Sequence, residues 1–125
     1  MAIPTQKISE FLEKYHAIFP ENAHIIQTAK GIEISSGKFT PQLTAHYLKN
    51  HIITLLSGPS FAVDVAQNKP TAVTIAADKF QDAEFIQNIF KNTPLRLYRS
   101  DDMQGVAVGG AVSYTHLTLP TTPYV

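Results

Sequence analysis

Residues 51–77 read "HIITLLSGPSFAVDVAQNKPTAVTIAA", and the order of properties in this stretch decides the fold. An apolar strand runs from about Ile52 to Leu56 and stops at Ser57-Gly58-Pro59-Ser60, a tight turn by composition. A short helix starts near Ser60, and after Lys69-Pro70 a second β-branched run returns. Strand, turn, helix and strand in so short a span is the repeating unit of an α/β sandwich.

The flanking sequence repeats that order. Upstream, Ile8, Phe11, Leu12 and Tyr15 recur at helical spacing, Glu10 stands four residues before Lys14 as a surface pair, and Pro20 marks the end of the helix. "AHIIQTAKGIE" reads as a strand leading to Gly31, and "FTPQLTAHYLK" as a helix with Thr40 at its N-cap and Pro41 at its first position. Downstream, Asp78 and Gln81 are spaced as a capping box ahead of an apolar stripe of Phe85, Ile86, Ile89 and Phe90. "PLRLYRS" alternates Leu95 and Leu97 inward with Arg96 outward, and Ser100 is placed to cap a helix opening with Asp101 and Asp102. The expected sheet is largely parallel.

Composition narrows the function. The chain has 125 residues, within one small domain, and its hydrophobic and charged fractions of 44% and 16% are those of a folded globular protein. Ten basic residues balance ten acidic ones, so no long-range field draws in nucleic acid or an anionic membrane. There is no cysteine, hence no disulfide or thiolate chemistry. The N-terminal residues lack a signal pattern and no apolar run approaches a membrane span, so a cytoplasmic protein without membrane insertion is expected.

Three stretches hold candidate chemistry. "SGPSFA" sets Gly58 and Ser60 at the carboxyl end of a strand, where open α/β sheets bind ligands, although a purely structural turn has the same composition. "TAKGI" places the Lys30 ammonium at the end of another strand, where it meets an anion or is simply solvated. "SDDMQGVAVGGA" carries Gly105, Gly109 and Gly110 within a helical pattern, a cost that points to close packing, here expected against another helix. The five histidines have no metal-ligand spacing, so no metal site is expected, and Ser60 lacks the G-x-S-x-G context of a hydrolase. No G-x-G-x-x-G loop is present.

Taken in order, "TAKGIE", "LLSGPSFAVDVAQNKPTAVTIAA" and "LRLYRSDDMQGVAVGGA" resemble the bacterial-type NAD(P)-dependent glycerol-3-phosphate dehydrogenases, from the first residues to about Ala111. The resemblance implies a Rossmann-like domain followed by a helical domain, with NAD or NADP as cofactor and a small phosphorylated substrate. It implies hydride transfer between glycerol 3-phosphate and dihydroxyacetone phosphate, feeding glycerophospholipid synthesis, and a homodimer of the intact parent. Carried over by position, Lys30 is expected to contact substrate and cofactor, Gly58 and Ser60 the substrate, and Ala62 the cofactor. The family's general-acid lysine follows Gly-Gly-Ala-Leu; Gly109, Gly110, Ala111 and Val112 are followed here by Ser113, so no catalytic residue is assigned.

The same alignment implies an internal fragment, cut at both ends. Residues 1–100 are expected to be the later part of the Rossmann-like domain with a mostly parallel sheet, and 101–112 the start of the helical domain. Residues 113–125 are expected to be a non-native tail, because "VSYTHLTLPT" resembles a translated sequencing adapter and "TLPTTP" suits neither helix nor strand. Two other functions fit parts of the pattern: a related hydroxyacid or sugar-acid dehydrogenase, and a non-catalytic module in which Lys30 and Ser60 hold an anion.

Overall fold

The structure, a computed structural model, describes residues 1–118, with side chains through Val112. Helix α1 (Ile8–Tyr15) follows a 3-10 turn and places Ile8 and Leu12, one turn apart, wholly out of solvent. Each such burial contributes about 1.5–3 kcal/mol. The helix ends before Pro20, because His16–Ile18 tightens into a second 3-10 turn. Glu10 pairs with Lys7 at 2.8 Å instead of with Lys14, and both side chains are too exposed for the pair to add much.

The remaining elements are β1 (His24–Gln27), α2 (Thr40–Tyr47), β2 (Ile52–Ser57), α3 (Ala62–Ala66), β3 (Thr71–Ala77), α4 (Phe80–Ile89), β4 (Leu95–Ser100) and α5 (Met103–Thr118). The strands form one sheet in the order β1-β2-β3-β4. β1 and β2 run parallel, as do β3 and β4, whereas β2 and β3 are antiparallel with Thr54 opposite Ala77. The sheet is thus mostly parallel but reverses at its centre. On the free edge of β1, the Met1 nitrogen donates to the Ile26 carbonyl, and the Met1 carbonyl accepts from the Thr28 amide at 3.0 Å.

Alternation along the strands divides the core between two faces. Ile25 and Ile53 pack with Leu43 of α2, with Leu48 just beyond its end and with Ile8 and Leu12, and Leu55 and Ala76 on that same side pack with Met103 and Ala107 of α5. Ile26, Leu56, Val73, Ile75 and Leu97 face the other way, against Ala83 and Ile86 of α4. Only half of the expected α4 stripe is core: Ile86 is buried and Phe90 partly so, whereas Phe85 and Ile89 are exposed.

The helix starts differ from expectation in a consistent way. Phe39, not Thr40, occupies the N-cap of α2, its amide donating to the Gln42 side chain at 3.0 Å, while the Thr40 hydroxyl turns away to the Ala29 carbonyl. The Asp78 capping box is absent, since α4 begins at Phe80 after Lys79 with no side-chain cap. α3 starts two residues beyond Ser60. At α5 the cap is Asp102, whose Oδ1 accepts from the Gly105 amide at 2.8 Å; Ser100 instead accepts from the Asp102 amide. The α5 backbone stays helical through Thr118, and the proline-containing stretch after it, expected to suit neither helix nor strand, lies outside the described residues.

Candidate active site

Because β1 and β2 are parallel, with Gln27 opposite Leu55, their carboxyl ends emerge at one edge of the sheet. Lys30 stands three residues beyond β1, and Gly58 directly follows β2. The half-buried Lys30 ammonium donates to the Gly58 carbonyl at 2.9 Å, and that carbonyl also accepts from the Ser60 amide at 2.9 Å. Structure therefore joins the two stretches that the sequence left apart, and Lys30 is not a freely solvated lysine.

Two glycines make the junction possible. Gly31 has φ +119°, a left-handed conformation that side-chain-bearing residues rarely adopt, and it turns the chain away immediately after Lys30. A Cβ at Gly58 would lie 3.0 Å from the Val73 Cα and Cγ1, so only glycine lets the turn close over β3.

α5 brings a third segment to the same place. It crosses the face shared with α1 and α2, burying Met103, Ala107 and Gly110, which are spaced along one helical stripe. An added Cβ at Gly110 would stand 2.7 Å from Ser57 Oγ and 3.7 Å from the Lys30 side chain. The glycine that composition assigned to helix packing marks instead the approach of α5 to the sheet end and to Lys30. Gly109 faces open space, and Gly105 stands beside its own cap, Asp102. Ser113 is one turn further along α5, and its side chain lies outside the described residues.

Ser60 is linked to the site through its backbone, on an exposed turn, and Ala62 is the exposed first residue of α3. The Ser60 amide is already committed to Gly58, so it is not a donor for a ligand in this arrangement.

Sequence reasoning missed the polar groups behind Lys30. Gln27, Thr40 and Thr44 are all buried. The Gln27 side-chain amide donates to the Thr44 hydroxyl at 3.0 Å, and Thr44 donates to the Thr40 carbonyl at 2.9 Å. The Thr40 hydroxyl donates to the Ala29 carbonyl at 2.8 Å, and the Thr5 hydroxyl to the Lys30 carbonyl at 2.7 Å. Three polar residues at inward positions of β1 and α2 were the available signal.

A separate cleft of about 450 Å³ lies at the opposite end of β2, lined by residues including Gln42, His51, Asp78 and Met103. It includes neither Lys30 nor Gly58, both of which are half-buried. Among the described residues no group of three or more histidine, aspartate and glutamate side chains is arranged to hold a metal. No helix of the described residues is long and apolar enough to cross a membrane.

Lys30 presents an ammonium at this end of the sheet, a group that suits one anionic oxygen of a dinucleotide or of another phosphorylated ligand. The sequence has no glycine-rich loop for the pyrophosphate, so these residues fit part of the cofactor only.

Comparison with known proteins identifies the family and the fold. Residues 1–83 match the family described as NAD-dependent glycerol-3-phosphate dehydrogenase N-terminus. The chain is 37% identical over 110 residues to glycerol-3-phosphate dehydrogenase [NAD(P)+] of Brucella ovis, covering 88% of this chain and 34% of the relative. It is 38% identical over 112 residues to the enzyme of that name from Clostridium tetani, covering 90% and 32%. The crystal structure of glycerol-3-phosphate dehydrogenase from Coxiella burnetii superposes with a TM-score of 0.77 at 28% identity, covering 87% of this chain and 33% of that one. A Dunaliella salina structure, at 17% identity and the same TM-score, shares the fold. The chain thus spans about a third of the length of the relatives it matches. With a matching family model over most of its length and a shared fold, the chain belongs to the NAD-dependent glycerol-3-phosphate dehydrogenase family, within its N-terminal, NAD-binding part.

Proposed function

We propose that this chain forms the substrate-side wall of the nicotinamide site in a cytoplasmic dehydrogenase that interconverts glycerol 3-phosphate and dihydroxyacetone phosphate with NAD or NADP. The observation that carries the reading is the contact of Lys30 with Gly58, beneath the crossing of α5 at Gly110. The bound dinucleotide supplies or accepts the hydride. One Lys30 proton is committed to Gly58, and the others are available to a phosphate or ketone oxygen at the strand ends. Ser113 brings an aliphatic hydroxyl where the family has an ammonium, and a hydroxyl is too weak an acid to protonate the substrate oxygen at neutral pH. Binding without turnover is the consequence.

The test is a titration of the isotope-labelled chain with dihydroxyacetone phosphate and NADH, following backbone amide resonances and NADH absorbance together. Shifts are expected at Lys30, Gly58 and Ser60, lost in Lys30→Ala, with no NADH consumed. Equal shifts with inorganic phosphate at the same concentration would overturn the triose-phosphate assignment and favour a general anion site. Consumption of NADH would overturn the role given to position 113.

A further inference from the structure

Polar side chains are buried directly behind Lys30. β1 ends its ladder at Gln27, so the carbonyls of Ala29 and Lys30 lie beyond the sheet and need other partners. They are met by two threonine hydroxyls from different elements: Thr40 at the start of α2, and Thr5 in the 3-10 turn before α1. Thr40 is itself held from behind, because its carbonyl accepts from Thr44, which accepts from Gln27. Gln27 Oε1 in turn accepts from the Thr28 amide at 3.2 Å, closing the circuit on the segment that carries Lys30. Valine would fill the Thr40 and Thr44 sites with almost the same shape, so packing alone does not explain hydroxyls there. What a hydroxyl adds is direction, since each fixes one carbonyl in one orientation.

We infer that Thr40 and Thr5 are positioning residues for Lys30: they clamp the carbonyls on either side of its backbone so that its ammonium is held at Gly58 rather than sampling solvent. Gly31 completes the device by turning the chain sharply at the next residue, which leaves Lys30 little freedom to relax once the two carbonyls are fixed. The inference rests on the proposed function for its significance, as Lys30 is the residue that would meet substrate, but the geometry stands without any ligand.

The experiment exploits that independence. The full chain is treated with pyridoxal 5′-phosphate, a phosphorylated aldehyde that forms an imine with an uncharged lysine amine, and the adduct is fixed with borohydride. Labelling at Lys30 is then read by peptide mass spectrometry against the exposed Lys79 as internal standard. In Thr40→Val and in Thr5→Val, labelling of Lys30 is expected to rise about threefold to tenfold, the weight of one lost hydrogen bond. Thr40→Ser, which keeps the hydroxyl, restores the wild-type rate. Ile86→Val, a mild core change under α4 and remote from β1, controls for general loosening and leaves Lys30 labelling unchanged. If Thr40→Val does not fold, Thr5→Val decides, because Thr5 is only partly buried. Unchanged labelling in Thr5→Val, or an equal rise in Ile86→Val, overturns the inference. Neither result bears on whether triose phosphate and NADH bind, and a failure of that binding leaves this result standing.

Discussion

At the scale of single residues, the glycines of α5 separate two meanings that composition cannot. Gly110 lies against Ser57 Oγ and Gly109 against nothing, though they are neighbours in one helix. Gly110→Ala is therefore expected to destabilise the chain by about 1–3 kcal/mol through overpacking, and Ser57→Ala in the same molecule to recover part of that loss. Gly109→Ala is expected to stabilise by about 0.5–1 kcal/mol, because alanine loses less backbone freedom and meets no neighbour. Urea unfolding of the three variants checks both, and a Gly110→Ala change as benign as Gly109→Ala would remove the evidence that α5 is held close to the sheet end. The pattern of glycines was visible in the sequence, but which one touches the site depends on the path of α5 across the sheet, and that path is a tertiary fact. Lys30 illustrates the same limit: its position after a strand was legible, whereas the acceptor 28 residues away was not.

At the scale of elements, strands and helices were legible from apolar period and their ends were not. The reason is visible in the caps. Thr40 and Asp78 have good capping chemistry, but the Thr40 hydroxyl is claimed by the Ala29 carbonyl and α4 begins two residues after Asp78, so neither caps its helix. A competing tertiary partner decides between cap and clamp, and spacing alone does not contain it. Asp102 does cap α5, so Asp102→Ala should cost about 1 kcal/mol in unfolding free energy, with Ser100→Ala costing less; the reverse order would return the cap to Ser100. The segment between β1 and α2 is set by a different device. Glu33 is buried, and its carboxylate accepts from the Ser36 hydroxyl at 2.6 Å. Ser36 first, with Ser9, Ser35 and the nearby Lys38 charge adding to it, holds this carboxyl below its ordinary value of 4.5 against the opposing effect of burial. A carboxyl with a depressed native pKa stabilises fully above its unfolded value and loses that contribution as pH falls through the native one. Stability measured by urea unfolding should therefore fall as pH drops below 4.5, and Glu33→Gln should flatten that slope while being less stable near neutrality. A slope unchanged by the substitution would assign the acid sensitivity to other carboxylates.

At the scale of the whole molecule, the alternating apolar pattern announced a layered α/β chain but not the direction of its strands. A buried strand reads the same in either direction, and the short α3 connection between β2 and β3 gave no sequence cue that the sheet reverses there. The consequence is an uneven distribution of cover. Three helices lie on one face, whereas α4 is the long helix on the other, and it buries Ala83 and Ile86 while Phe85 and Ile89 remain 51% and 60% exposed. An apolar stripe that is half solvent-facing contributes to fold stability only through its inner half, and its outer half is surface. Ile86→Ala is accordingly expected to cost about 2–5 kcal/mol, the range for truncating a fully buried aliphatic side chain. Ile89→Lys, one turn on, should leave the unfolding free energy within about 0.5 kcal/mol and reduce light scattering from concentrated solution, since it breaks an exposed apolar patch with a charge. Paired urea unfolding and static light scattering on the two variants separate these effects. If Ile89→Lys were as costly as Ile86→Ala, the outer stripe would be part of the folding core, and the division of this sheet into a well-covered and a thinly covered face would have to be abandoned.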